Sequence, residues 1–257
     1  MKNLIFDKFP ASELDAWFSL QLSWTHELRE YICRKVKIRR FKTILELGSG
    51  TGRLLEYFYL KCSDAEIYGT ELSQNLFEES ISKFPEFNII HKDSLSFLKE
   101  TNKKFDIIYC HFYLLWERDR VELMKEVKRH LEPNGFFIIF SEPDYGGVLE
   151  SPEPLRAEPD IKSIQVNAGD PYVGRKLLPD IRKCEFKVVE SGLISKIKSN
   201  LIPEKENFYN EFKFYKNFWS EIMTTEEIDK IRDKILVFIE KREYFYFLPI
   251  MYFILRP

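Results

Sequence analysis

The stretch Ile44-Leu45-Glu46-Leu47-Gly48-Ser49-Gly50-Thr51-Gly52 decides the fold. An apolar run leads straight into three glycines at alternate positions, and a helical pattern starts at Arg53. Glycine carries no Cβ, so a ligand can lie against bare backbone at such a turn. In an open α/β sheet, the turn from a strand into the next helix is where a nucleotide-like ligand binds. The dinucleotide fingerprint G-x-G-x-x-G would place its third glycine at position 53, where Arg53 stands. Residues further along the chain must therefore decide between ligand classes.

Outward from this loop, the pattern predicts strands over 43–47, 65–70, 87–91, 105–110 and 136–141. Helices over 53–61, 74–83, 94–100 and 117–131 fall between them. Such alternation means an α/β fold, doubly wound, with right-handed crossovers and helices on both faces of a parallel sheet. Upstream, Leu14, Trp17, Phe18 and Leu22 recur at helical spacing and predict one helix from about 11 to 37. After Ser141 the rhythm breaks in the turn-rich segment 142–147 and at Pro152, Pro154 and Pro159. Helices are expected near 160–168 and 174–182, and a sixth strand over 186–193. An aromatic helix over 205–219, a polar-faced helix over 225–240 and a last strand over 246–255 complete the chain. The expectation is one domain over 1–257: a helical cover at 1–40, a ligand-binding core at 41–195, a helical lid insertion at 196–242 and a final strand at 243–257.

Composition narrows the partners. With 39 basic and 41 acidic residues the formal charge is -2, which leaves no broad basic face and argues against nucleic acid. Cys33, Cys62, Cys110 and Cys184 form no CxxC pair and have no histidine at metal-ligand spacing. They read as buried free thiols of a reducing compartment, and no metal site is expected. The N-terminal apolar run from Met1 to Phe6 is too short for a signal peptide. The run from Tyr244 to Leu255 contains Pro249 and is too short to span a bilayer. A cytoplasmic protein with no membrane partner is expected; the oligomeric state is not legible.

Two acids flank the loop in the predicted sheet. Glu71 ends the second strand, where a carboxylate can accept both hydrogen bonds of a ribose diol. Asp93 ends the third, where it can accept from the exocyclic amine of a purine. Either acid could instead serve as a helix N-cap.

With Glu46-Leu47-Gly48-Ser49-Gly50-Thr51-Gly52, Glu71, Asp93-Ser94, Phe105-Asp106-Ile107-Ile108 and Pro133-Asn134-Gly135, the chain resembles the class I S-adenosylmethionine-dependent methyltransferases. The resemblance covers about residues 40–142 and extends more weakly beyond, through Glu142–Gly147 and Gly169–Arg175. It implies a Rossmann-like seven-stranded sheet whose last strand is antiparallel, and S-adenosyl-L-methionine as cofactor. It further implies that Gly48, Ser49, Gly50 and Gly52 pass close to the cofactor's methionine and ribose. Glu46 would hold the amino group, Glu71 the ribose hydroxyls, and Leu72 would pack on the adenine. Asp93 and Ser94 would read the adenine edge, and Cys110 and His111 would line the site near the methyl group.

Methyl transfer from a sulfonium needs alignment above all, and a base only when the acceptor must lose a proton. His111 is the candidate base, its ordinary pKa lying near neutrality; contact with the cofactor alone is the other reading. Glu142, Asp144 and Tyr145 follow the fifth strand and could orient or deprotonate a substrate, or simply stabilise a turn. Arg175 could hold an acidic substrate group or pair at a helix start. Trp17, Trp116, Tyr145, Phe212 and Tyr215 are expected to line an enclosed, largely apolar substrate pocket. A small-molecule methyltransferase is the leading reading; a protein or RNA methyltransferase and a silent cofactor-binding module are the alternatives.

Overall fold

The computed structural model describes residues 5–195 and 205–257. Met1–Leu4 of the expected cover, and the expected start of the lid at 196, lie outside the described residues. The chain begins with α1 (Ala11–Trp24) and α2 (His26–Val36). It continues through β1 (Thr43–Leu47), α3 (Arg53–Lys61), β2 (Glu66–Glu71), α4 (Gln74–Lys83), β3 (Asn88–His91), α5 (Ser94–Glu100) and β4 (Phe105–Cys110). Next come α6 (Arg120–His130), β5 (Leu131–Pro143), β6 (Leu149–Ser151), α7 (Ala157–Val166), α8 (Val173–Lys183) and β7 (Lys187–Ser195). The last elements are α9 (Lys205–Trp219), α10 (Thr225–Glu240), β8 (Phe245–Phe247) and β9 (Pro249–Arg256).

Seven strands form one sheet in the order β3-β2-β1-β4-β5-β9-β7, and β9 runs antiparallel to both of its neighbours. The doubly wound sheet with an antiparallel last strand is thus as expected. Strand order reverses between β1 and β4, so the loops leaving these two strands diverge and open a crevice at their carboxyl ends. Period-two alternation divides the strand side chains between two cores. Leu45, Ile108 and Phe137 face one layer of helices, while Ile44, Ile107 and Ile138 face the other.

Three differences from expectation bear most on the fold. The single helix expected to run from 11 to 37 is two, because Thr25 leaves helical geometry (φ -111°, ψ 9°). The carbonyl of Leu22 then accepts from the Thr25 amide (3.3 Å) and from Arg29 Nη1 (2.7 Å). Strand β5 starts at Leu131, five residues earlier than expected, because Leu131 already pairs with Phe105 of β4. The last strand is split at Leu248, so that β8 pairs with β6 in a small second sheet.

Candidate functional site

The loop between β1 and α3 lies at the crevice. Gly48 and Gly50 have φ of 68° and 55°, the left-handed region that favours glycine. A Cβ on Gly48 would stand 2.3 Å from the Tyr113 ring, and one on Gly50 would stand 3.1 Å from the Phe18 ring. The room vacated by these two glycines is therefore taken by the protein's own aromatic roof, not simply left open. Beneath the roof runs a cleft of about 1000 Å³, open solvent included. Glu46, Gly48, Ser49, Gly50, Glu71, Leu72, Asp93, Ser94 and His111 all lie on its wall. Two predicted wall residues do not. Gly52 is the N-cap of α3 and faces Phe84, and Cys110 is fully buried in the core beneath β4.

The acids hold the loop as well as facing the cleft. Glu71 accepts the Gly50 amide on Oε2 and the Ser73 amide on Oε1, each at 2.8 Å. Burial raises its pKa against the pull of those amides. Glu46 is 3% exposed and accepts one hydrogen bond, from the Tyr109 hydroxyl at 3.1 Å. Burial, and then the charge of Glu71, push its carboxyl well above the usual range. The Tyr109 hydrogen bond and the Arg29 guanidinium pull the other way without prevailing. Asp93 acts as the N-cap of α5, accepting the Leu95 and Ser96 amides at 3.2 Å each. The Ser94 hydroxyl is 2.7 Å from that of Thr70, so the side chain is already engaged. The Ser49 amide donates to the Thr70 carbonyl at 2.8 Å, while its buried hydroxyl has no partner.

Helix α1 is tied to the loop through Asp15. Its carboxylate accepts from Thr51 Oγ1 (2.6 Å) and Arg53 Nε (2.9 Å) and pairs with Lys83 (2.9 Å). Burial opposes its ionisation, but the bonds from Arg53, Thr51 and Lys83 prevail and hold it well below the usual carboxylate range. Arg53, in the place of a third glycine, is thus a docking residue. His111 forms a second tie. Arg29 donates to the Thr25 oxygen, and Thr25 Oγ1 and His111 Nε2 share a hydrogen bond of 2.9 Å whose direction follows the ring's tautomer. Burial, and then the Arg29 guanidinium, keep the imidazole well below its ordinary pKa, so it is neutral with Nε2 engaged by Thr25.

Beyond Phe6, Phe18, Gln21, Phe112 and Trp116 the cleft adjoins a second cavity, whose wall shares all five. Trp17, Trp116, Tyr145 and Tyr215 line it. Trp17 of α1 stacks on Phe214 of α9 with centroids 4.0 Å apart and planes 2° apart, so α9 closes this aromatic chamber. Phe212 is one layer back, packed on Phe208 and Trp219 at 5.4 and 5.8 Å.

The acids expected to follow the fifth strand, of which Glu142 lies within β5 itself, have other work. Glu142 is fully buried and accepts the amides of Tyr113 (2.9 Å), Leu114 (2.8 Å) and Leu115 (3.2 Å). It shapes the turn after β4 and lines neither cavity. Asp144 takes Arg175 through Nε (2.7 Å) and Nη2 (2.8 Å), and also accepts the Arg175 amide (3.1 Å). This pair at the start of α8 also stands outside both walls, so the geometry favours the turn and ion-pair readings. Tyr145 alone of the three predicted residues after β5 reaches a cavity. Sequence reasoning missed Phe18, Tyr113, Asp15, the Thr25–Arg29 pair and Asp160. Arg53, standing where a third glycine would be, is the one sequence signal beside this docking contact.

An open α/β sheet with a glycine turn at its switch point, and acids on two adjoining strand tips, defines a protein built for an adenosine-like ligand. Residues 44–135 match the family model described as a methyltransferase domain, and over that stretch the chain is similar to the class I S-adenosylmethionine-dependent methyltransferases. The trans-aconitate 2-methyltransferase of Azoarcus sp. (strain BH72) is 23% identical over 138 residues, 52% of this chain and 53% of that protein. The match therefore spans about half the length of that relative. Among solved structures, the cyclopropane synthase MmaA2 from Mycobacterium tuberculosis is 14% identical, with a TM-score of 0.56 over 89% of this chain and 83% of that chain. A candidate sarcosine dimethylglycine methyltransferase from Galdieria sulphuraria is also 14% identical, with a TM-score of 0.56 over 90% of this chain and 85% of that chain. At such identities the structural likeness concerns the fold. S-adenosylmethionine, the cofactor of such methyltransferases, carries a sulfonium and an ammonium. Among the described residues no helix is long and apolar enough to cross a membrane, and no group of three or more His, Cys, Asp or Glu could hold a metal.

Proposed function

We propose that the chain transfers a methyl group from S-adenosylmethionine to a small molecule held in the aromatic chamber. One observation carries this reading: the glycine-loop cleft and the chamber share a wall, so a donor in one and an acceptor in the other would meet. When bound, the cofactor supplies an electrophilic methyl carbon on a sulfonium. Glu46 would hold its ammonium, Glu71 its ribose hydroxyls through the outer lone pairs of a carboxylate already fixed by Gly50 and Ser73, and Leu72 its adenine. The backbone of Ser94, capped by Asp93, would meet the adenine edge. Holding acceptor and methyl donor in line can lower such a barrier by about 7–11 kcal/mol with no catalytic base. His111 enters as a neutral imidazole that orients; with Nε2 bonded to Thr25 it is poorly placed to abstract a proton there. The whole chain would form one domain, with α9 and α10 as its cover.

An enclosed chamber suits a free molecule better than a residue of a folded protein or RNA. The test is incubation with methyl-labelled cofactor and a metabolite extract. Label in a small-molecule product supports the reading. Label in protein or RNA, or binding without any transfer, overturns it.

A further inference from the structure

The wall shared by the cleft and the chamber is built almost wholly of rings. Phe6, Phe18, Phe112 and Trp116 belong to both cavities, and among the described residues Gln21 of α1 is the only other one that does. Gln21 is half-buried and stands one helical turn after Trp17. Its side-chain amide makes no hydrogen bond among the described residues. The chamber's other polar side chains stand off this junction and line the chamber alone. Asp160 accepts from Trp219 Nε1 at 2.9 Å and from the Tyr246 hydroxyl at 3.2 Å, and Ser163 Oγ donates to the Asp160 carbonyl at 3.0 Å. Gln21 is therefore the polar side chain at the place where donor and acceptor would meet.

Resting on the reading of the chamber as the acceptor's site, we propose that Gln21 selects and orients the acceptor. That acceptor is an uncharged molecule with an apolar body, which lies among the rings, and a hydroxyl or N–H head, which the Gln21 amide holds at the junction. The argument is one of position. The reacting atom has to lie at the shared wall, and the polar side chain of that wall is Gln21, so the polar head and the reacting atom coincide. A carboxamide offers an acceptor, Oε1, and a donor, Nε2, without a charge. A head that donates to Oε1 keeps a lone pair for the methyl carbon, and the hydrogen bond sets the direction of that pair, which is the alignment such a transfer needs. Gln21 takes no proton; it positions the head. An anionic head would bury its charge among rings with one neutral amide to meet it, a desolvation cost that an uncharged head does not bear. An ammonium head has no lone pair to give. A molecule lacking the head would leave the amide covered and unpaired, which is how a hydrogen-bonding site rejects an apolar analogue.

The experiment uses the full chain. Calorimetry with S-adenosylhomocysteine comes first, because failure there sinks the methyltransferase reading and not merely the role of Gln21. With that ligand saturating, p-cresol, its hydroxyl-free match p-xylene and the anion 4-methylbenzoate are titrated against tryptophan fluorescence, to which Trp17 and Trp116 of the chamber wall contribute. The wild type should bind p-cresol at least as tightly as the more apolar p-xylene, and the anion most weakly. Gln21→Met keeps the length of the side chain and removes its hydrogen bonds. It should shift the ratio of the two affinities about fivefold towards p-xylene, a change that a merely structural role would not produce because it would move both ligands together. Retained S-adenosylhomocysteine affinity verifies the fold of the variant, and should Gln21→Met fail to fold, Gln21→Ala gives the same comparison. An unchanged ratio, tighter binding of the anion, or no p-cresol binding in protein that retains S-adenosylhomocysteine would overturn the proposal. So would a shift that appears in Tyr145→Phe and not in Gln21→Met.

Discussion

The glycine loop is held by polar groups acting on backbone, whereas the adjoining chamber is held by rings acting on rings. At the loop, Glu71 grips the Gly50 and Ser73 amides, and Asp15 gathers Thr51, Arg53 and Lys83. In the chamber, Trp17 lies flat on Phe214, Phe6 meets Trp116 edge-on at 5.4 Å, and Phe214 stacks on Phe218. Directional bonds fix a geometry, as an unchanging cofactor requires. Ring packing leaves shape to side-chain identity, so under the reading proposed above substitutions there would alter the acceptor and spare the donor site. The boundary between the two is the turn after β4, where Tyr113 roofs Gly48, Leu115 lines the chamber, and Glu142 holds both amides.

The most severe break on the loop side is Gly48→Val. It places a β-branched side chain at φ 68° and against the Tyr113 ring. Affinity for S-adenosylhomocysteine should fall by about 100-fold or more, the equivalent of roughly 3 kcal/mol. Calorimetry on folded variant protein reads this, and an unchanged affinity would remove the loop from the site.

At the boundary, Glu142 titrates. Burial, opposed by the amides of Leu114, Tyr113 and Leu115, pushes its carboxyl from 4.5 up to about 7. A carboxyl whose pKa is higher folded than unfolded binds more protons in the native state, so its contribution to stability falls as pH rises through that window. Between pH 4.5 and about 7 the loss amounts to at most about 3 kcal/mol. Glu142→Gln should remove this contribution and flatten the fall in melting temperature over the same range. An identical pH profile in the variant would contradict the assignment.

The two regions also differ in how far the sequence revealed them. The glycines, Glu46, Glu71 and Asp93 occupy tips of successive strands, where period and spacing alone put them side by side. The expected bounds of α3, α4, α5 and β4 coincide with those observed, because apolar alternation and local caps set them. The chamber draws on α1, the turn after β4, α7 and α9, so its neighbours are remote in sequence and no local pattern joins them. Trp17, Trp116, Tyr145 and Tyr215 were legible as aromatic residues on the right elements, but Phe212 and Asp160 were not told apart from core and surface. For Glu142, Asp144 and Arg175, a polar residue after a strand reads alike whether it faces a ligand or three backbone amides.

Smaller effects separate bracing from bonding. Glu71→Ala should weaken S-adenosylhomocysteine binding by about 1.5–3 kcal/mol through loss of charge-assisted bonds. Glu71→Gln keeps one carbonyl acceptor and should cost less; equal losses would show that charge, rather than the Gly50 brace, governs the site. Least of all, Arg175→Ala should lower the melting temperature only slightly, since its side chain is half exposed, and leave cofactor affinity within about twofold. A large fall in turnover there would restore Arg175 to the substrate site.

The most direct measurement is a calorimetric titration of S-adenosylhomocysteine into the wild-type chain beside folded Gly48→Val. The account predicts saturable binding of one ligand per chain in the first and its loss in the second. Silence in the wild type, or equal heats from both proteins, would contradict it.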